Sequence, residues 1–214
     1  IYPETDYDNM VQIMCDSMEY ADYIDIMSVL ELEDYYKTDT HWRQENFIVA
    51  AQGLGHAIDV NISSDYESVK LDKTFYGVYY GQMALPVSGD DLYYLTNAEI
   101  QGCQVYDYEN SREISMYDLS AVDSSDNYNM YLYGPLSLIT ITNPNGALDK
   151  ELIIFRDSFG SSIAPLLVSG YSKITLVDIR YLSIDILGQF VEFDNQDVLF
   201  LYSTSVLNNS ETIK

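Results

Sequence analysis

Ser158, His41 and Asp39 are the residues of this chain whose types and spacing could do chemistry. An imidazole can take a proton from a serine hydroxyl while a carboxylate fixes its tautomer and stabilises its cationic form. Leu152-Ile153-Ile154-Phe155 is an apolar run that enters the polar turn Arg156-Asp157-Ser158-Phe159-Gly160, and Ser161 to Val168 has helical spacing. The stretch reads as strand, tight turn, helix. That geometry lifts Ser158 clear of the sheet and beside the free N–H groups of a helix start, where a developing oxyanion is stabilised. A plainer reading has Asp157 and Ser158 only capping the helix.

The chain has 2 histidines. His56 follows Gly53-Leu54-Gly55 at the end of a helical stretch, where a contact with the helix C-terminus explains it. His41 lies in Tyr35-Tyr36-Lys37-Thr38-Asp39-Thr40-His41-Trp42, with a carboxylate two residues before it. If Asp39 to His41 is extended, both side chains project from one face with Cα atoms about 6.5 Å apart, within reach of each other. Asp39 or Thr40 could equally cap the helix that follows. Asp-x-His alone is a weak motif; with a serine on a strand-turn-helix it points to Ser/His/Asp chemistry.

The elements that must position these groups follow from periodicity. Met10, Ile13, Met14 and Met18 predict a helix over Asp8 to Tyr20, and Phe47, Ile48, Ala51, Leu54 and Ile58 predict one over Arg43 to Ala57. Tyr23 to Met27 alternates as a short strand, with a helical turn through Val29, Leu30 and Leu32. From about Ser63 to Asn145 short tyrosine-rich strands (Lys73 to Gln82, Asp91 to Thr96, Gln104 to Tyr108, Tyr131 to Thr142) suggest a β-rich insertion, residues 63–145, packed beside the main sheet. After Ser158 the order is a helix to Val168, a strand Lys173 to Asp178, a helical piece Ser183 to Phe190 and a strand Asp197 to Tyr202. Such alternation predicts an α/β fold with a mainly parallel sheet and a ligand cleft at the carboxyl ends of its strands. There Arg156 to Gly160, Asp178 to Tyr181 and Ser203 to Asn209 should converge. Arg180, Tyr181, Ser203, Thr204 and Ser205 could donate to a ligand or be ordinary loop polars.

A length of 214 residues at 47% hydrophobic content suits one domain, residues 1–214, with that insertion inside it. The 34 acidic against 10 basic residues give a net charge of -24, which excludes nucleic acid and anionic membrane surfaces as main partners. Cys15 and Cys103 sit at unrelated places; they could pair, though two free thiols are the plainer reading, and neither cysteine nor histidine spacing suggests a metal. Asp123-Ser124-Ser125-Asp126-Asn127 lacks EF-hand spacing and reads as a solvated loop rather than a calcium site.

At Thr38-Asp39-Thr40-His41-Trp42 and Phe155-Arg156-Asp157-Ser158-Phe159-Gly160 the sequence resembles the bacterial DHHW family, among the SGNH-hydrolase-like proteins of cell-surface polysaccharide O-acetylation. Further similar pieces are Tyr79-Tyr80-Gly81-Gln82, Val177-Asp178-Ile179-Arg180-Tyr181 and Leu199-Phe200-Leu201-Tyr202-Ser203-Thr204-Ser205. Thr40 stands where a first histidine is usual, which leaves His41 matching the catalytic histidine, Asp39 its acid and Ser158 the nucleophile. The resemblance implies a three-layer SGNH-like sandwich with circularly permuted chain order, and an esterase or O-acyltransferase acting on cell-surface polysaccharide. It also implies an extracellular or surface location, a membrane anchor and a further strand upstream of Ile1, whose absence here would leave an open sheet edge. Its partners would be a carbohydrate substrate, an acyl donor and a membrane-bound O-acyltransferase, with no nucleic acid and no cofactor or metal. Backbone N–H groups of Ser158 and Phe159 are the expected oxyanion donors, because no Gly-x-Asn-Asp block is present. Tyr79, Tyr80, Tyr181 and Trp42 are candidate stacking surfaces for sugar rings. The alternative from another class is a non-catalytic glycan-binding or scaffold module of the cell envelope on the same fold.

Overall fold

The computed structural model describes residues 5–84, 86–146, 149–209 and 211; Ile1 lies outside them. In chain order the elements are α1 (Tyr7–Ser17), α2 (Ile48–Ala57), β1 (Glu67–Phe75), α3 (Val78–Met83), β2 (Asp90–Thr96), α4 (Ala98–Gly102), β3 (Gln104–Asp107), β4 (Arg112–Ile114), β5 (Leu138–Thr142), β6 (Glu151–Arg156), α5 (Phe159–Leu167), β7 (Lys173–Val177), α6 (Ile184–Leu187), β8 (Asp197–Leu201) and α7 (Thr204–Leu207). No helix among the described residues is long and apolar enough to cross a membrane.

The main sheet has six strands in the order β4-β3-β5-β7-β6-β8. Within it β6 lies between β7 and β8, and its four apolar residues are buried because neighbours cover both faces. Leu152 and Ile154 turn into the larger core with α2 and α5, while Ile153 and Phe155 turn into a smaller one with Leu182, Leu187 and Val191. Period-two alternation thus feeds two different cores. Eight of the nine residues of α5 are buried, which its run of Gly, Ala, Ser and Leu permits.

The fold is α/β, but the sheet is mixed rather than mainly parallel. Only β6 with β7 and β6 with β8 pair in parallel. The pairs β3–β4, β3–β5 and β5–β7 are antiparallel. Parallel neighbours need a crossover long enough to return the chain, and α5 after β6 and α6 after β7 supply it. β3 and β4 are joined by a short turn, and the longer segment 115–137, with two 3-10 helical turns, brings β5 back antiparallel to β3. The expected insertion does not stand apart as one unit either: β3, β4 and β5 belong to the main sheet, and only β1 and β2 form a separate two-stranded sheet.

Local expectations fail where a partner is missing or a residue interrupts. Tyr23 to Met27 forms no strand; Ile24 and Ile26 pack on the core from irregular backbone that has no strand beside it. The strand expected through Gln82 stops at Phe75, and α3 follows Gly77. Tyr131 to Thr142 is extended only from Leu138, since Leu132, Tyr133 and Gly134 take left-handed φ values of 49°, 60° and 76°.

Candidate active site

β6 ends at Arg156, and the next four residues each have a distinct physical job. Asp157 is buried; one carboxylate oxygen accepts the Phe159 N–H at 3.0 Å and the other the Ser203 N–H at 2.7 Å. This draws the loop after β8 against the loop after β6. Ser158 occupies the N-cap position of α5 but its side chain makes no capping bond. Its hydroxyl oxygen lies 2.7 Å from His41 Nε2 instead. Gly160 meets the Arg156 stem so closely that a Cβ there would lie 2.6 Å from Arg156 Cβ, so the helix can start against that side chain only without one of its own.

Arg156 is wholly buried under this turn. Its guanidinium donates to Leu136 O at 3.0 Å, Ser161 Oγ at 3.1 Å and Asp157 O at 3.3 Å, with longer contacts to Gly134 O. Burial lowers its pKa from the ordinary guanidinium range, against the opposing pull of Asp178 and Asp157. One arginine thus holds together the strand end, the left-handed loop before β5 and the first turn of α5.

The other two groups come from an irregular loop that is pinned at several points. Asp39 Oδ1 accepts the His41 backbone N–H at 3.1 Å, an Asx-turn in place of the extended segment expected. The same oxygen lies 2.5 Å from His41 Nδ1, and Oδ2 accepts the Val78 N–H at 3.0 Å. Asp39 therefore does not cap α2 and instead accepts from the first residue of α3. Just before it, the buried Asp90 carboxylate at the start of β2 receives Thr38 N–H at 3.0 Å, the Thr38 hydroxyl at 2.6 Å and Lys37 N–H at 3.2 Å. On the far side, Trp42 Nε1–H donates to Ser162 Oγ on α5 at 2.8 Å. The small sheet and α3 thus place the carboxylate, and α5 places both the serine and the tryptophan clamp.

Burial by itself raises the Asp39 carboxyl, but the His41 ring and the N–H groups of Val78 and His41 outweigh it and hold the pKa below the usual carboxylate value. The group is therefore ionised at neutral pH and only accepts. The proton between it and the ring belongs to Nδ1, which leaves Nε2 free to accept the Ser158 hydroxyl. His41 is 14% exposed and Ser158 partly so, enough for a small reactant to approach. The ring is stacked on Tyr128, centroids 3.8 Å apart and 14° from parallel, and Phe159 lies against it at 4.6 Å.

The remaining candidates divide. The Phe159 N–H is committed to Asp157, so it is not a free oxyanion donor; the Ser158 N–H carries no such bond. Trp42 is 5% exposed and packed on Phe47 and Phe159, so it is part of the core and offers no face to a sugar. Arg180 is held by Asp178 through Nε at 2.9 Å and Nη2 at 2.6 Å, with the exposed Tyr181 ring 5.4 Å away. Ser203 and Ser205 bond each other at 2.9 Å, and Ser203 caps α7, where Thr204 begins the helix. Tyr80 packs on Tyr76 and remains partly exposed, whereas Tyr79 lines a cleft of about 870 Å3 together with Tyr35, Lys37, Thr40, Arg43 and Asp39. Of the three residues only Asp39 lines that cleft; His41 and Ser158 do not.

His56 is exposed at the end of α2 and remote from these contacts. Cys15 and Cys103 are both free. Asp123 pairs with Lys73 at 2.6 Å, and among the described residues no cluster of three or more His, Cys, Asp or Glu is placed to hold a metal ion. Sequence reasoning missed Arg156 as a brace, Asp90, Ser162 and Tyr128. The first had a readable signal, an arginine ending an apolar strand; the others act across separations that no local pattern reveals.

No family model matches the sequence, and no curated protein matches it. Solved structures do. A DHHW family protein from Eubacterium siraeum superposes with a TM-score of 0.76 at 20% identity, over 99% of this chain and 74% of that one. Bacillus cereus PatB1 superposes at 0.72 and 20% identity, over 94% and 75% of the two chains. A second PatB1 structure, which carries a sulfonyl adduct, superposes at 0.68, again at 20% identity. At that identity the likeness is one of architecture: this chain has the fold of a DHHW family protein and of PatB1.

Proposed function

We propose that the chain is an SGNH-like serine esterase or O-acyltransferase that acts on cell-surface polysaccharide. The observation that carries the reading is His41 bridging Ser158 and Asp39, at 2.7 Å and 2.5 Å. Ser158 Oγ attacks the acyl carbonyl as its proton passes to His41 Nε2, and the oxyanion forms beside the Ser158 N–H at the start of α5. His41 then protonates the leaving oxygen, and the acyl group is left on Ser158 as an ester. An acceptor hydroxyl, from a sugar or water, gives its proton to Nε2 and takes the acyl carbon; the proton returns to Ser158 Oγ. Transfer and hydrolysis differ only in which hydroxyl reaches the ester.

The carbohydrate, the acyl donor and a membrane-bound O-acyltransferase supplying it are partners in this reading, as are the surface location, the anchor upstream and the permuted three-layer sandwich. Their support is the sequence resemblance together with the shared fold. The sulfonyl adduct in a PatB1 structure is the kind of product that a nucleophilic side chain makes with a sulfonylating reagent, and it suits a nucleophile on this fold. A serine-directed fluorophosphonate should label Ser158 in the intact chain and leave a Ser158→Ala variant untouched. No labelling, under conditions that modify a control esterase, sinks the proposal. The commitment of the Phe159 N–H favours one rival, a glycan-binding module without turnover. It requires saturable glycan binding that survives both Ser158→Ala and His41→Ala.

A further inference from the structure

His41 has a partner that the three-residue reading leaves idle. Tyr128 lies on a 3-10 helix, Asn127–Met130, between β4 and β5, is 4% exposed, and sets its ring 3.8 Å from the imidazole and nearly parallel to it. That ring is not free to move. Its hydroxyl donates to Ser162 Oγ at 2.7 Å, Tyr36 meets it edge-on at 6.4 Å, and Tyr131 packs at 4.9 Å. Ser162 Oγ in turn accepts from Trp42 Nε1 at 2.8 Å and donates to Phe159 O at 3.3 Å, which uses a hydroxyl's whole capacity of two acceptor sites and one donor. The ring beneath His41 is therefore anchored to the helix that carries Ser158 and to the residue next to His41.

We propose that Tyr128 is a positioning residue for His41, whose aromatic face fixes the plane of the imidazole and stabilises the positive charge it gains on taking the Ser158 proton. The inference rests on the acyl-transfer reading above. Two hydrogen bonds in the plane of a ring, to Asp39 and Ser158, leave it free to rock about their axis, and a stacked face stops that motion. A cation over a tyrosine face is attracted by the ring quadrupole, most strongly where water is excluded, as it is here. The charged groups bearing on the pair are the carboxylates of Asp39, which bonds the ring, and Asp157, behind the Ser158 turn, with the buried Arg156 guanidinium as the opposing cation felt by Tyr128.

Two measurements test it. With only 2 histidines, the imidazole proton resonances of the intact chain separate cleanly, and exposed His56 is the internal reference. The His41 signals should carry a ring-current shift that Tyr128→Phe keeps and Tyr128→Leu removes, with His56 unmoved. The fluorophosphonate labelling rate of Ser158 should fall roughly tenfold or more in Tyr128→Leu and stay within about threefold in Tyr128→Phe. Because a leucine could disturb folding, phenylalanines with one, two and three fluorines incorporated at 128 hold the shape while draining the ring face of negative charge. Labelling should slow stepwise along that series. A flat series, or a Tyr128→Leu variant that keeps the ring-current shift, overturns the proposal. Absence of labelling in the unmodified chain instead defeats the acyl-transfer reading, and the resonance measurement still reports on the stack.

Discussion

Replacing Arg156 with methionine tests whether the brace under the Ser158 turn is structural, and the cost can be worked from its bonds. Methionine keeps much of the stem's bulk, so the loss is of donors. Gly134 O and Asp157 O each retain another donor, the N–H of Leu136 at 3.0 Å and of Gly160 at 3.1 Å. Leu136 O and Ser161 Oγ lose the arginine donors they had at 3.0 and 3.1 Å. A buried acceptor stranded in this way costs about 1–3 kcal/mol, so the pair amounts to roughly 4 kcal/mol. Removing a buried guanidinium also relieves its desolvation, and Nε finds no partner among the described residues, which trims the figure toward about 3 kcal/mol. For a chain of 214 residues that corresponds to a fall in Tm on the order of 10 °C. Arg156→Lys should not restore it, because one ammonium cannot span acceptors on both sides of the turn. Calorimetry and urea melts of both variants decide the matter. A Tm within about 2 °C of the unmodified chain, a small fraction of the predicted fall, would show that the arginine is not the brace described.

Asp39→Asn removes the carboxylate that accepts His41 Nδ1–H and keeps Nε2 turned to Ser158; Ser158 labelling should drop by roughly three to four orders of magnitude while the fold survives, and near-normal labelling would remove Asp39 from the mechanism. The folded Asp39 carboxyl is depressed, so its contribution to stability is present above the unfolded value of about 4 and is lost as pH falls through the folded one. Acid melts of the unmodified chain should therefore steepen below about pH 4 relative to Asp39→Asn, and superimposable curves would refute the linkage. Gly77→Ala would put a Cβ 2.2 Å from Asp39 Oδ2, so labelling should collapse with a stability loss of only about 1–3 kcal/mol; full reactivity would mean that the Asp39 seat is looser than its contacts imply. Gly160→Ala, against the rigid stem of Arg156, should cost a similar amount and also perturb Ser158.

What the sequence disclosed, and what it hid, divides by distance along the chain. The run Leu152 to Phe155 into a polar turn announced β6 and the Ser158 turn because strand, turn and helix start are all local choices. His41 was found by elimination between two histidines, and its tie to Asp39 spans only two residues, although an Asx-turn makes it where an extended segment was expected. The sheet was misread because β-alternation looks the same whichever way the neighbour runs, and nothing local in Leu138 to Thr142 shows that β5 pairs antiparallel with β7. Asp90 gripping Thr38 from 52 residues away, and Tyr128 stacking on His41, had no local signal, and 21 tyrosines made any one of them anonymous. The division has a physical reason. The groups that would exchange protons are short polar side chains on turns, and turn chemistry is written in neighbouring residues. Their precision comes from a second ring of contacts, Asp90, Ser162, Arg156 and Tyr128, each of which is buried or half-buried by elements from elsewhere in the chain. Those contacts exist only once folding has brought β2, α5 and the 3-10 helix before β5 together, so the candidate groups can be guessed from sequence while the rigidity of their placement is a property of the fold.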